Sequence, residues 1–487
     1  MYSFRVVQLP ENPTIMQEVN VQPFKLLIDG RLVEGETEMD VLNPATEELL
    51  SKCPRASAAQ FEEAIQAAHS AFPGWADTPI ESRRAKLLEL ADLVNKNAQE
   101  LAHLLVQEQG KPLPEAAAEI AYSEFWIRTM AAYDIPVKVI EDSESRRVEV
   151  HRRPLGVVGA IIPWNFPLLV VTFKLPFALL AGNTIVIKPA PTTPLTTLRF
   201  GELCQKVFPA GVVNIVTDNN DLGSILSSHP LIRKVTLTGS TETGRKVMAG
   251  AAGTIKRITL ELGGNDAAIV LDDVDPKKVA PGIFAGAFTN AGQVCIALKR
   301  LYVHKDVYDE ICDELTELAN AAIVDDGLKQ GTTMGPLQNR KQFEKVKTYL
   351  NDAKANGRII AGGEVLDRPG FFVRPTIVRD IKDGTKLVDE EQFGPILPVI
   401  KFDDPEIALR HANSSSMGLG GSVWSADTDR AYELATRMDA GTVWVNKHLD
   451  FGPTIPFGGS KQSGLGTEFA DEGLAEFTQV SVINVAT

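Results

Sequence analysis

The sequence predicts an α/β protein: a doubly wound parallel sheet, a second α/β lobe and a small β arm. Three observations carry this. Between residues 156 and 261, five apolar runs are separated by helix-length segments. Strands that are apolar throughout are buried on both faces, as in parallel sheets covered by helices. A second set of such runs begins near Asp266 and continues to residue 446. A charged hairpin over 135–152 and a terminal strand over 479–485 stand outside both sets.

In chain order, residues 25–50 alternate apolar and polar, and Asp29-Gly30 is a hairpin-turn pair. Two helices follow. Phe61, Ile65 and Ala68 share a face of the first. Leu87, Leu90, Ala91, Val94, Leu101, Leu104 and Leu105 share a face of the second, and Gly110-Lys111-Pro112 ends it. A third helical run, about 114–133, contains Phe125 and Trp126. Val137, Val139 and Ile140 lead into a charged turn, Glu141 to Arg147, and Val148-Glu149-Val150 leads out of it. The strand over 479–485 has no hairpin partner near it in sequence. Both are edges in want of a partner, read here as an oligomerisation arm. Packing of the two within one subunit is the competing reading.

The first sheet takes its strands from 156–162, 184–188, 212–216, 234–238 and 258–261, with helices over about 168–181 and 194–207. The second takes 267–271, 299–303, 357–361, 372–378, 396–402, 419–424 and 441–446. Doubly wound sheets bind ligands at the C-terminal ends of their strands. Polar residues gather at those ends here: Trp164 and Asn165, Lys188, Gly239 and Ser240, and Glu261.

The chain has 487 residues, 44% of them hydrophobic, and a formal net charge of −14. At roughly 150 residues per domain this means two or three domains. The acidic balance argues against nucleic acid or an anionic membrane as partner. Cys53, Cys204, Cys295 and Cys312 are scattered, with no Cys/His cluster, so neither a metal site nor a disulfide framework is expected. Met1 to Asn20 has no apolar core of signal-peptide length, no window has the length of a membrane span, and the cytoplasm is the default compartment.

Several of the strand-end residues carry chemistry. The turn from Gly239 to Gly244 follows a strand and opens a helix, where backbone N–H groups and the Ser240 hydroxyl suit a pyrophosphate. Alone, it reads better as a capped turn with Ser240 or Thr241 as N-cap. Lys188 can reach ribose hydroxyls or phosphate, although a solvated strand-end lysine is the plainer reading. Pro163-Trp164-Asn165-Phe166-Pro167 is stiff, and the Asn165 amide can donate to an oxyanion together with the Cys295 N–H, or cap a helix. Glu261 ends an apolar strand, where burial raises a carboxyl pKa as a general base requires. Cys295 begins or borders a helix after Gly292, and a helix N-terminus favours the thiolate. A buried structural thiol is the common reading of a lone cysteine. Together, a thiol attacks a carbonyl and a carboxylate activates the water that releases the product.

These motifs occur in one order with EEQFGP (390–395) and PFGGSKQSG (456–464), and the chain resembles the aldehyde dehydrogenase superfamily over essentially its whole length. The resemblance implies oxidation of an aldehyde to its acid with NAD, NADP being admitted. Cys295 matches the nucleophile, Asn165 the oxyanion donor and Glu261 the base for thioester hydrolysis, with Lys174 and Glu468 as supporting polar positions. Trp164, Gly239 and Ser240 match pyrophosphate contacts, and Thr243 the adenine position. Lys188 and Glu391 match ribose contacts, Leu262 and Phe393 the nicotinamide surroundings. Ile161, Ile162, Pro163, Pro191 and Gly244 complete the expected cofactor site. Phe166, Leu169, Phe173, Val294, Ile296, Phe451 and Phe457 are the expected substrate lining, and their character implies an apolar aliphatic or aromatic aldehyde.

The implied organisation is an NAD(P)-binding domain (1–133 and 152–261), a catalytic domain (262–446), an active-site loop (447–463) and an oligomerisation arm (134–151 with 464–487) of a homodimer or homotetramer. Three departures from the family pattern stand out. Pro191 replaces the acid that in many NAD-preferring members meets the adenine-ribose 2′-hydroxyl. Thr217-Asp218-Asn219-Asn220 replaces a Gly-rich turn, and Asp218 restores some repulsion of a phosphate. Leu298 replaces a smaller residue and narrows the pocket. Two alternatives compete. One is a semialdehyde dehydrogenase that uses Lys447 and His448 to receive a carboxylate. The other is a non-catalytic relative with a structural role, against which the joint presence of Asn165, Glu261 and Cys295 argues.

Overall fold

Two large, mainly parallel sheets and a three-stranded antiparallel arm dominate the fold, beside two small two-stranded sheets. The computed structural model describes residues 23–486. The expectations about residues 1–22 and 487 lie outside the described residues. In the first sheet the parallel strands run in the order Val213–Ile215, Thr184–Lys188, Val157–Ile161, Ile232–Thr238 and Arg257–Glu261. The hairpin Leu26–Ile28 and Arg31–Val33 extends one edge antiparallel, and Gly464–Leu465 the other. Winding starts at the central strand Val157–Ile161, runs outward to one side and resumes on the other with Ile232–Thr238. The crevice at such a reversal is where doubly wound sheets take ligands.

The second sheet runs Arg358–Ala361, Thr376–Arg379, Ile396–Phe402, Leu298–His304, Asp266–Val270, Gly420–Trp424 and Thr442–Val445, with only Arg358–Ala361 antiparallel. Its predicted 372–378 strand is shorter and later, because Phe371, Phe372 and Val373 pack in the core as irregular backbone. The linker between the sheets is Leu262 to Asn265. A Cβ on Gly264 would lie 2.5 Å from the Cys295 carbonyl oxygen, so only glycine lets this linker close on the cysteine turn.

The predicted pair of early helices is three: Ala58–Ala76, Ile80–Lys96 and Ala98–Gln109. The long apolar run breaks at Asn97, whose side chain donates to the Leu93 carbonyl and ends the helix there. The helix Leu113–Ala131 follows. The terminal strand Thr478–Ala486 pairs along its length with Arg146–Pro154, which also pairs with Lys138–Asp142. The expectation of an unpaired terminal strand is therefore corrected: its partner, the hairpin, lies far away in sequence. Among the described residues no helix is long and apolar enough to cross a membrane.

Candidate active site

The C-terminal ends of the first sheet open into a cleft of about 2830 Å³. Every predicted site residue lines it except Lys174 and Gly244, which stand behind the wall. Leu298 does not line it but packs in the core of the second sheet, so it does not narrow the pocket.

Cys295 sits in a turn between the short 3-10 helix Thr289–Gly292 and the strand Leu298–His304. It follows the end of a helix rather than starting one, so the expected helix N-terminus effect on its thiolate is absent. The residue is half-buried, yet burial dominates its chemistry and pushes the thiol up to about 12. Lys299 opposes this shift, while Glu261, Asp266 and Glu391 add to it. The turn is built from costly backbone. Asn290, Ala291 and Gly292 are all left-handed, with φ of 50°, 54° and 71°. The two non-glycine residues there are strained. Hydrogen bonds hold them: Asn290 N donates to Glu115 Oε2 (3.0 Å), and Gln109 Nε2 to Asn290 Oδ1 (3.1 Å). Lys299 Nζ ties the following turn by donating to the carbonyls of Val294 (2.8 Å) and Cys295 (3.0 Å).

Asn165 faces this turn. Its amide Nδ2 donates to the Gln293 carbonyl at 3.0 Å, so it is not a helix cap, and its second N–H is left for another acceptor. Its own carbonyl accepts from Asn290 Nδ2 (3.0 Å) and Lys111 Nζ (3.0 Å). Lys111 is fully buried. Its ammonium pairs with Glu119 at 2.5 Å and lies 3.7 Å from the centre of the Phe166 ring. Glu119 Oε1 in turn accepts from Leu168 N and Leu169 N (both 3.1 Å), at the start of the helix Leu169–Leu180 that carries Phe173 and Lys174. Lys111, Glu119, Glu115 and Asn290 were missed in the sequence. Gly110-Lys111-Pro112 reads only as a helix stop, and nothing local says that the lysine points inward.

Glu261 ends its strand beside Thr238, with only 4% of its surface exposed. Both carboxylate oxygens lack a hydrogen-bond partner among the described residues. Burial holds its pKa well above the usual carboxylate range. The charge of Glu468 adds to the rise, and Lys174 opposes it. Lys174, fully buried, pairs with Glu468 and donates to Thr236 Oγ1 at 3.0 Å.

The nucleotide-facing side is built from helix and strand ends. Ser240 caps the helix Thr241–Ala252 by accepting from Thr243 N at 3.2 Å. A Cβ on Gly244 would lie 2.7 Å from Leu262 Cδ2, so glycine brings this helix close against Leu262. Lys188 is buried rather than solvated. Asp218 is buried too and pairs with Lys188 at 2.6 Å. Glu391 Oε1 accepts from Gly264 N at 3.0 Å, and Trp164 and Phe393 meet edge-on at 5.4 Å.

Beyond the thiol the wall is aromatic. Phe173 lies 4.8 Å from Phe469, and Trp126 lies 5.3 Å from Phe173 and 5.7 Å from Phe451 (ring centres). Trp126 and Phe469 join the predicted Phe166, Phe451 and Phe457 along the cleft. Lys447 and His448 offer no free cation. Lys447 pairs with Asp450. Burial holds His448 neutral, its pKa lowered to about 3, and its ring nitrogens meet Ser422 Oγ (3.0 Å) and the Ile296 carbonyl (2.9 Å).

One cleft at the strand ends of a doubly wound sheet thus holds a thiol, an amide donor and a carboxylate with no hydrogen-bond partner among the described residues. The chain belongs to the aldehyde dehydrogenase family, whose sequence model matches residues 32–483. It is 38% identical over 484 residues to a phenylacetaldehyde dehydrogenase of Pseudomonas fluorescens, covering 95% of this chain and 96% of the relative. It is 36% identical over 473 residues to the NADP-dependent succinate-semialdehyde dehydrogenase GabD of Escherichia coli (strain K12), covering 96% of this chain and 98% of the relative. The NAD+ complex of an aldehyde dehydrogenase from Bacillus cereus superposes with a TM-score of 0.93 at 37% identity, covering 96% of this chain and 97% of that one.

Proposed function

We propose that this aldehyde dehydrogenase oxidises an apolar aliphatic or aromatic aldehyde to its carboxylic acid through a thioester on Cys295. The observation that carries the reading is the set of groups that share the cleft: the Cys295 thiol, Asn165 pinned by a hydrogen bond to the Gln293 carbonyl two residues before the thiol, and Glu261 with no hydrogen-bond partner among the described residues. Lys188, Ser240, Gly239, Trp164, Glu391 and Phe393 would hold NAD or NADP, which would supply the hydride acceptor.

In this reading Cys295 gives up its proton to water in the cleft, the S–H bond breaks, and Sγ forms a bond to the aldehyde carbon as the carbonyl π electrons move to oxygen. The carbonyl oxygen becomes an oxyanion that the free Asn165 N–H and the Cys295 backbone N–H receive. After oxidation the acyl group remains on Sγ as a thioester. Glu261 takes a proton from water, the hydroxide adds to the acyl carbon, and the C–S bond breaks to release the acid and return the thiolate. A carboxylate short of hydrogen bonds and buried is the stronger base. Lys174 and Glu468 set its field. The aromatic wall favours an apolar chain or ring over a charged one. The semialdehyde alternative is less favoured, since His448 is held neutral by burial and Lys447 is paired with Asp450.

Residues 23–133 with 152–261 form the NAD(P)-binding part in this reading, 262–446 the catalytic part and 447–463 the active-site loop. The arm exposes Val480, Val482 and Val485 on its outer strand, an apolar edge suited to a homodimer or homotetramer. The test is absorbance of the reduced nicotinamide with hexanal, benzaldehyde and succinic semialdehyde. Turnover of the first two is expected. Turnover of succinic semialdehyde alone would overturn the apolar reading.

A further inference from the structure

We propose that Asp218 and Asn220 make this chain select NAD over NADP, in place of the acid absent at Pro191. The inference rests on the reading of the cleft as a dinucleotide site with Lys188 at the adenine ribose. A lysine at that place normally invites a 2′-phosphate once the neighbouring acid is gone. Here its charge is already matched. Its ammonium is ion-paired with Asp218 Oδ1 at 2.6 Å and donates to Asn220 Oδ1 at 3.1 Å and the Pro189 carbonyl at 3.4 Å.

Asp218 is not free to withdraw. It is fully buried, and its other oxygen accepts from Leu222 N at 2.8 Å. The backbone of Gly223 lies against the lysine stem, where an added Cβ would come 3.3 Å from Lys188 Cε. A 2′-phosphate arriving here would meet a neutralised lysine and a fixed carboxylate behind it. Like charge at that range disfavours it. A 2′-hydroxyl makes no such demand. Asn220 lines the cleft with a left-handed φ of 62°, and its amide offers both a donor and an acceptor to a hydroxyl. Asp218 therefore acts through Lys188 as a specificity-determining residue, and Asn220 is the group that meets the ribose.

The test is calorimetric titration of the whole enzyme with NAD and NADP, and with 5′-AMP and adenosine 2′,5′-bisphosphate, which report the ribose half alone. The wild-type chain is expected to bind NAD at least about tenfold tighter than NADP. Asp218→Asn, which keeps shape and removes charge, is expected to shrink that preference by about tenfold, the worth of roughly one close charge. The bisphosphate is expected to gain relative to 5′-AMP by a similar factor. Equal wild-type affinities for the two cofactors overturn the proposal, and this comparison needs no variant. An unchanged ratio in an Asp218→Asn protein that still binds NAD also overturns it. Binding of neither nucleotide by the wild type removes the dinucleotide reading itself.

Discussion

Asn165 and Glu261 flank the same thiol, and they are prepared in opposite ways. Asn165 is over-determined. Its carbonyl takes two hydrogen bonds and its amide gives one, with partners on two separate segments, Lys111 on one and Asn290 and Gln293 on the other. Glu261 is starved, with two buried oxygens and no hydrogen-bond partner among the described residues. The difference follows from what each must do. An oxyanion donor works by being in place before charge develops, so it is held. A general base works by wanting a proton, and each hydrogen bond to its ionised form would weaken it. The same cleft thus needs one side saturated and the other left bare.

Breaking this arrangement has graded consequences. Cys295→Ala removes the group both sides serve, and turnover should fall by about 10⁴-fold or more with NAD binding intact, measured by steady-state assay and titration. Asn165→Ala removes one held donor and should lower kcat by about 10²–10³-fold, with the aldehyde KM little changed. Lys111→Met leaves Asn165 in the chain but removes its anchor and strands a fully buried Glu119. A loss of about 3–5 kcal/mol in stability is expected, read by denaturant unfolding, with a kcat loss smaller than that of Asn165→Ala. If kcat is untouched in the folded Lys111→Met enzyme, the held side does not depend on that anchor.

The smallest effect tests the strained turn. Burial raises the Glu115 pKa to about 7, with Glu119 adding and Lys111 opposing. The native chain therefore keeps this proton at pH values where the unfolded chain has released it. Stability contributed by that proton is lost as pH rises from about 4.5 towards 7. Glu115→Gln cannot lose it, so the Tm difference between variant and wild type should shift in favour of the variant between pH 5 and pH 8. A pH-independent difference would place the Glu115 titration outside this range.

The two sides were also unequally legible in the sequence. Glu261 and Cys295 lie in motifs that keep their meaning in one dimension: a carboxylate at a strand end before glycines, and a thiol after GQV. The parallel strands were readable for the same reason, since a run buried on both faces is apolar throughout. Lys111 and Asn290 were not readable. Their meaning comes from contacts with Asn165, more than fifty residues away in one case and more than a hundred in the other, and a buried lysine after a glycine looks like any helix stop. The break at Asn97 and the turn at Cys295 were misjudged because periodicity and spacing carry no backbone angle, whereas Asn97 ends a helix through its own side chain and Asn290 and Ala291 reverse the sign of φ. His448 looked like a free cation only until its buried partners were visible.

The central claim is that the bare carboxylate, not the held amide, governs release of the acid. It is tested most directly by mixing Glu261→Gln enzyme with benzaldehyde and NAD and measuring the intact protein mass. The account predicts one burst of reduced nicotinamide and a Cys295 adduct with the mass of the benzoyl group. It also predicts a loss of rate at low pH in the wild type, where Glu261 is protonated, and its disappearance from the variant. Steady turnover at the wild-type rate with no adduct would contradict it.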